Sequence, residues 1–472
     1  MGKTKDFFVK RVIKFMVKTL PRLSDKHLVL LAKLSEKIIT KKYRIAVRFV
    51  KEKWKQNHPA ARLAKLILRL NTNCREKLAI NLFVNSLLIG SRKRVAAKKK
   101  GLVAPYLMVI SPTMRCNLRC KGCYAGEYKQ DQDLEFKTVD RVINEGKKLG
   151  VYFYTISGGE PYVWPGLLKL FKKHSDCYFQ TYTNGTLIND QLAKKLAKLG
   201  NVAPAISVEG YEKETDLRRG EGTFKRVMRA MDALKKHGVM FGFSATPTRH
   251  NTELLASEEL VDFYIKKGCK FGWYFQYIPI GLKPDVKMMA TPEQRQHLRL
   301  RLKEMRATKP IFFGDFWNDG PYVKGCMAGC NQKGCGSYLH INSKGDVEPC
   351  VFTHFAVDNI KNKSLAEVLN SKLFKAIRAE QPYCDNLLMP CMIIDNPKIL
   401  RKVVKKSGAR PTHPGAETIV EDPKITKFLD RYSKRMHELT DEAWKKEWPK
   451  LAKEIELMCI EKENDKARGI EV

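Results

Sequence analysis

The sequence predicts an α/β protein: a partial (β/α)6 barrel, preceded by a basic helical region and followed by a cysteine-rich extension. Three observations predict this. Short β-rich runs alternate with helix-like patterns between about residues 101 and 310, the first 100 residues read as basic amphipathic helices, and cysteines become dense after about residue 310. At 472 residues the chain exceeds what one core usually supports, and its 43% apolar and 10% aromatic content suffices for a sizeable core. The predicted units are residues 1–100, 101–310, 311–396 and a charged helical tail, 397–472.

In the first segment Phe8, Val9, Val12, Ile13, Met16, Val17 and Leu20 share one helical face opposite Lys10, Arg11, Lys14 and Lys18, and Pro21 ends the helix. A second apolar pattern runs from His27 to Ile39 and a third from Tyr43 through Trp54, while Arg92 to Gly101 reads as a polybasic connector. Residues 1–100 hold 28 Lys and Arg against 5 Asp and Glu, so +23 of the chain's +38 lies there. Such helices either lie in a membrane interface or pack their stripes on one another as a cap, and amphipathicity alone does not separate the two. The charge attracts an anionic membrane surface, with nucleic acid the less favoured partner, or it is simply a solvated face. No run of about 18 apolar residues occurs, so membrane contact would be peripheral. Thirteen cysteines without an apolar secretory leader argue against a disulfide scaffold and predict a cytoplasmic protein whose thiols serve as metal ligands.

The barrel strands are read at Leu107 to Ser111, Tyr152 to Ile156, Tyr178 to Thr183, Ala203 to Val208, Met240 to Thr246 and Gly272 to Tyr277. Helical patterns fall between them at Thr138 to Leu149, Gln191 to Leu199, Thr223 to Lys236 and Ser257 to Lys267. Repeating βα units of this size imply a parallel sheet buried on both faces, with functional residues at the C-terminal ends of the strands. Beyond Pro397 helical patterns return at Lys424 to Leu439 and Asp441 to Glu461.

Directly after the first strand comes Cys116-Asn-Leu-Arg-Cys120-Lys-Gly-Cys123-Tyr124. Three thiolates on a short loop can hold three corners of a 4Fe-4S cluster and leave the fourth iron open, whereas structural zinc wants four ligands. The second strand leads into Ser157-Gly158-Gly159-Glu160-Pro161, whose glycines permit close backbone approach. The third ends in Thr183-Asn184-Gly185-Thr186 and the fourth in Ser207-Val208-Glu209-Gly210, followed by Arg219. In this order the motifs resemble the radical S-adenosylmethionine (SAM) superfamily over about residues 105 to 395. The resemblance implies a cluster on Cys116, Cys120 and Cys123 that receives an electron, from a donor such as ferredoxin or flavodoxin, and cleaves SAM to a 5′-deoxyadenosyl radical. It further implies that Gly158, Gly159, Glu160, Asn184, Ser207, Glu209 and Arg219 surround SAM, and that Tyr124 and the Tyr277-Ile278-Pro279 stretch flank its adenine. Many relatives carry Asp where this chain has Glu209.

The second cysteine field contains Cys326, Cys330, Cys335, Cys350, Cys384 and Cys391. Between Cys335 and Cys350 a hairpin is predicted, Tyr338 to Ile341, a turn ending at Gly345, then Val347 onward. The spacing resembles the auxiliary-cluster extensions called twitch and SPASM, but the C-terminal cysteine run is sparser, which implies one auxiliary 4Fe-4S cluster rather than two. Its first-choice ligands are Cys335, Cys350, Cys384 and Cys391, with Cys326 and Cys330 set aside as a pair and zinc as the alternative metal. Cys74, Cys177, Cys269 and Cys459 read as buried small hydrophobes.

The substrate favoured by the basic N-terminal region is a membrane lipid or other amphiphile, for example in carbon–carbon joining of acyl chains. The alternatives are a peptide maturase and an RNA-modifying enzyme. A cluster-binding module without enzymatic activity is the reading of another class, and the SAM-pocket motifs around Gly158 and Arg219 speak against it.

Overall fold

The computed structural model describes residues 2–38, 51–129, 131–331 and 337–458. Its central sheet contains strands β1 (Leu107–Thr113), β2 (Phe153–Gly158), β3 (Tyr178–Thr183), β4 (Val202–Val208), β5 (Gly242–Ala245), β6 (Phe271–Tyr274), β7 (Phe312–Asp315), β8 (Tyr338–Ile341) and β9 (Val347–Glu348). They are ordered β7-β6-β5-β4-β3-β2-β1-β8-β9, parallel except for the antiparallel pair of β8 and β9. The six expected strands run consecutively from β1 to β6, so the partial (β/α)6 barrel stands. Two additions were not foreseen: β7 extends the sheet beyond β6, and the hairpin between the predicted cysteines pairs its first strand with β1.

The sheet follows from alternation. Met108, Ile110, Tyr154, Ile156, Phe179, Ile206 and Val208 turn outward and pack against the crossover helices, while every other residue, such as Phe153, Thr155, Gln180, Tyr182, Ser207, Ser244 and Trp273, lines the concave side. The expected helices form at Phe136–Leu149, Asp190–Leu199, Thr223–Lys236 and Glu258–Lys267. Asn189 and Ser257 cap two of them through side-chain oxygens, and Gly150, Gly200 and Gly268 end three of them in the left-handed conformation.

The N-terminal region is more than an appended arm. Helices occupy Gly2–Thr19, Asp25–Ile38, Pro59–Leu68 and Thr72–Lys77; a π-helix follows at Leu78–Gly90, and the stretch read as a polybasic connector is itself helical from Ser91 to Lys99. The third amphipathic stretch, from Tyr43, lies largely outside the described residues. Leu78, Leu82 and Ile67 pack with Tyr178, Ala203 and Phe271, the first residues of the strands and their neighbours, and so plug the N-terminal end of the barrel. Asn81 donates to the carbonyls of Ser175 and Cys177 at 3.0 and 2.8 Å, and Asn85 to that of Asp176 at 2.8 Å, which satisfies the turn before β3. No helix among the described residues is long and apolar enough to cross a membrane.

At the other end the two predicted tail segments form a single helix, Pro423–Met458. It is held to the barrel by a buried ion pair. Arg295, on the Pro292–Thr308 helix and wholly buried, meets Asp395 and also donates to the carbonyls of Trp317 and Leu388 at 3.0 and 3.2 Å. Asp395 in turn accepts the Cys391 backbone N–H at 3.0 Å on its carboxylate and the Ser433 hydroxyl on its backbone carbonyl. One guanidinium thus joins barrel helix, cysteine field and C-terminal helix. Arg295→Ala leaves the Asp395 carboxylate buried and unpaired, and should cost about 3–5 kcal/mol. Thermal or denaturant unfolding checks this, and the double replacement Arg295→Met with Asp395→Leu should recover most of the loss.

Candidate active site and cysteine field

The cysteine loop leaves β1 and crosses directly over the C-terminal end of β2. Gly159 N–H donates to the Thr113 carbonyl at 3.1 Å and Glu160 N–H to the Arg115 carbonyl at 2.9 Å. A Cβ on Gly158 would lie 2.2 Å from the Thr113 oxygen, and one on Gly159 2.2 Å from the Arg115 oxygen. The two glycines therefore serve the approach of the loop itself, at distances no side chain tolerates. Gly122, with φ of +62°, lets the loop turn against the Tyr277 ring, which a Cβ would meet at 2.7 Å.

Glu160 is wholly buried behind this loop. Its carboxylate accepts from the Thr183 hydroxyl at 2.7 Å, the Asn184 N–H at 2.8 Å and the Tyr162 N–H at 3.1 Å. Asn184, so placed, donates to Asn117 Oδ1 at 2.8 Å and approaches Cys116 Sγ at 3.8 Å. Burial pushes the Glu160 carboxyl up to about 7, against those hydrogen bonds. Glu209 is likewise buried, and its Oε1 accepts from Arg219 at 2.6 and 2.8 Å and from Arg218 at 2.7 Å, leaving Oε2 without a partner. Arg218 also grips the cysteine loop, donating to the Lys121 carbonyl at 3.2 Å and accepting the Lys121 N–H at its own carbonyl at 3.0 Å.

Cys116, Cys120, Cys123, Tyr124, Gly158, Gly159, Asn184, Ser207 and Arg219 all face one cavity at the C-terminal ends of the strands, whereas Glu160 and Glu209 stand one layer behind it. Tyr124 OH lies 3.0 Å from Ser157 Oγ, and its ring meets Phe352, beyond the hairpin, edge-on at 5.3 Å. Sequence reasoning missed Arg218, Gln180, Ser244, Trp273 and Gln276, which also line the cavity. Polar residues at inward strand positions were the available signal. Much of the remaining wall is aromatic: Phe153, Tyr182, Trp273, Phe275 and Phe316.

The thiols sort by their hydrogen bonds. Cys116 Sγ accepts the N–H of the residue two further on, Leu118, at 3.4 Å, and the same turn recurs at Cys326 with Ala328 (3.4 Å), Cys350 with Phe352 (3.4 Å) and Cys391 with Ile393 (3.3 Å). A sulfur that receives N–H donors is prepared to be a metal-bound thiolate. Cys384 has the same turn, with the Asn386 N–H, but its sulfur also lies 3.2 and 3.5 Å from the carbonyls of Asn386 and Met389, and Cys330 is buried with its sulfur 3.9 Å from the Tyr338 carbonyl. Cys335 and Cys459 lie outside the described residues. Cys326 was thus set aside on spacing, although its geometry matches that of Cys350 and Cys391. Burial pushes the Cys116 thiol up to about 11 and that of Cys391 to about 12, so a bound cation is what would make these sites thiolates at neutral pH.

A family model described as the radical SAM superfamily matches residues 110–253, and one described as an iron-sulfur cluster-binding domain, SPASM, matches residues 330–392. Mycofactocin maturase MftC of Mycobacterium tuberculosis is 29% identical over 301 residues, covering 60% of this chain and 75% of that protein. Fe-coproporphyrin III synthase of Methanosarcina barkeri is 25% identical over 314 residues, covering 58% and 77%. Among solved structures, Streptococcus suis SuiB bound to S-adenosylmethionine shares the fold with a TM-score of 0.53 at 22% identity, over 64% of this chain and 76% of that one. A cluster loop after the first barrel strand, a cavity beside it and a cysteine field joined to the same sheet agree with both matched models: the chain carries a radical SAM domain over residues 110–253 and a SPASM region over residues 330–392, and is a SAM-dependent 4Fe-4S enzyme.

Proposed function

We propose that the enzyme is a maturase that removes a hydrogen atom from an apolar side chain of a peptide, with SAM and its cluster held on Cys116, Cys120 and Cys123. When bound, the cluster supplies the electron that splits SAM into methionine and a 5′-deoxyadenosyl radical. The protein's own part is positional. Glu160 fixes Asn184 and the end of β3 against the loop, Arg218 ties the loop to the Glu209 ion pair, and the aromatic walls keep water and other hydrogen donors from the reacting atoms. The observation that carries the substrate reading is the 29% identity over 301 residues to a mycofactocin maturase, together with a largely apolar cavity that also presents the polar side chains of Gln180, Ser244 and Gln276. That similarity supports a peptide over the membrane lipid that charge alone favoured.

For the auxiliary cluster we assign Cys326, Cys350 and Cys391, with Cys335 as the fourth ligand, in place of a set containing Cys384. Cys326, Cys350 and Cys391 lie close enough to feel one another's charge, whereas the charged neighbours of Cys384 are Asp395 and Asp441, which supports the first three.

Three outcomes test these assignments. Replacing Cys116, Cys120 or Cys123 with Ala should abolish 5′-deoxyadenosine formation in anaerobically reconstituted protein while circular dichroism stays unchanged; full activity in any one variant removes that cysteine from the set. Cys326→Ala should lower iron and sulfide by about four atoms each per chain, whereas Cys384→Ala should leave both at the wild-type level. For the reaction itself, enzyme, dithionite and SAM incubated with peptide and lipid fractions of host cells should produce a SAM-dependent mass change in a peptide. A change confined to the lipid fraction overturns the maturase reading.

Glu160 gives a pH test. Its folded pKa of about 7 exceeds the usual value near 4.3, so the stability tied to its neutral form is complete below about pH 4 and is lost as pH rises through 7. The wild-type melting temperature should therefore decline between pH 6 and 8 more steeply than that of Glu160→Gln. Equal slopes in differential scanning calorimetry would show that Glu160 is ionised throughout.

A further inference from the structure

The plug beneath the barrel has an outer face that nothing in the described structure covers. Of the thirteen large hydrophobic side chains exposed among the described residues, eight lie within residues 1–90: Phe7, Val12, Phe15, Met16, Leu30, Phe83, Leu87 and Leu88. Phe7 is 62% exposed, Phe15 69% and Phe83 53%, values far above what a packed aromatic retains. On the Gly2–Thr19 helix, residues 7, 11, 12, 15 and 16 recur at four-residue intervals and share one side, while Val17 is buried and Ile13 half-buried on the other. On the π-helix Phe83, Leu87 and Leu88 likewise share a side, opposite the Asn81 and Asn85 that meet the barrel. Ion pairs between Arg92 and Asp6 at 2.6 Å and between Lys14 and Glu76 at 2.8 Å join the Gly2–Thr19 helix to the residues on either side of the π-helix, so the two run antiparallel and adjacent. The predicted stripe is thus divided: part of it packs against the cap, and a neighbouring stripe containing Phe7 and Phe15 stays in solvent. Phe8 has a side chain outside the described set.

We propose that this face docks on an anionic lipid bilayer, which seats the closed end of the barrel on the membrane and leaves the SAM end open to solvent. Charge complementarity selects the occupant. Lys10, Arg11, Lys14 and Lys18 flank the stripe, and Arg11 lies 5.6 Å from the centroid of the Phe7 ring, so cations and apolar groups are interleaved as an interfacial helix requires. A second copy of the chain would bring two regions of +23 together. RNA would use the cations but has no need of the exposed phenylalanines and leucines. The inference rests on the plug's outer surface alone and is independent of the peptide reading.

The test is cosedimentation of the anaerobic, cluster-loaded full-length enzyme with vesicles of phosphatidylglycerol and phosphatidylcholine, beside a fluorescent single-stranded RNA. Wild type should bind the anionic vesicles, more weakly at high salt and weakly or not at all to pure phosphatidylcholine. Combined Phe7→Ser, Phe15→Ser and Phe83→Ser keeps every charge and should reduce vesicle partitioning by at least about tenfold, with RNA binding and 5′-deoxyadenosine formation unchanged. Absence of vesicle binding by wild type overturns the proposal, as does undiminished binding by the triple variant. RNA binding without vesicle binding would reassign the face to nucleic acid. A dimer that dissociates in the triple variant, again without vesicle binding, would make it a self-association surface.

Discussion

The active end of this protein depends on one close approach: the backbone of the cysteine loop lies against Gly158 and Gly159 at distances that exclude any Cβ. Everything that faces the cavity is referenced to that contact. It fixes where the loop leaves β1 relative to the end of β2, and Glu160 transmits the same reference to Asn184 at the end of β3. The motif is commonly thought of in terms of the ligand it faces. In this chain its glycines and its carboxylate bind the protein to itself, and the ligand meets a surface already set.

Burial explains why the two acidic residues differ in character. Glu160 receives neutral donors only, and desolvation raises its carboxyl; Glu209 sits between two guanidinium groups. The first behaves as a hydrogen-bonding strut, the second as the counter-charge that keeps Arg218 and Arg219 from repelling each other beside the cysteine loop. Arg295 and Asp395 repeat the second arrangement further out, where a buried pair joins three separately coded segments and one of its carboxylate oxygens orients the backbone of Cys391.

Much of this was legible in the sequence where the determinants are local. The six barrel strands show alternation and are punctuated by Asn, Ser and Gly at helix ends, and the Cys116 to Cys123 loop carries its spacing within eight residues, so both were recovered. Cys326 is hard to place from sequence because Cys350 and Cys391, whose backbone turns it shares, come from distant segments, while its neighbour in sequence, Cys330, turns away to the Tyr338 carbonyl. The apolar run Leu78 to Gly90 lacks a helical stripe because it is a π-helix buried on one side and exposed on the other, a pattern the 3.6-residue period does not detect. The basic charge of the first 100 residues was conspicuous and hid their apolar work inside the barrel.

The plug made by Leu78, Leu82 and Ile67 also bears on access. Stopped at that end, the barrel is closed between the first residues of its strands, and traffic to the cavity passes the cysteine loop.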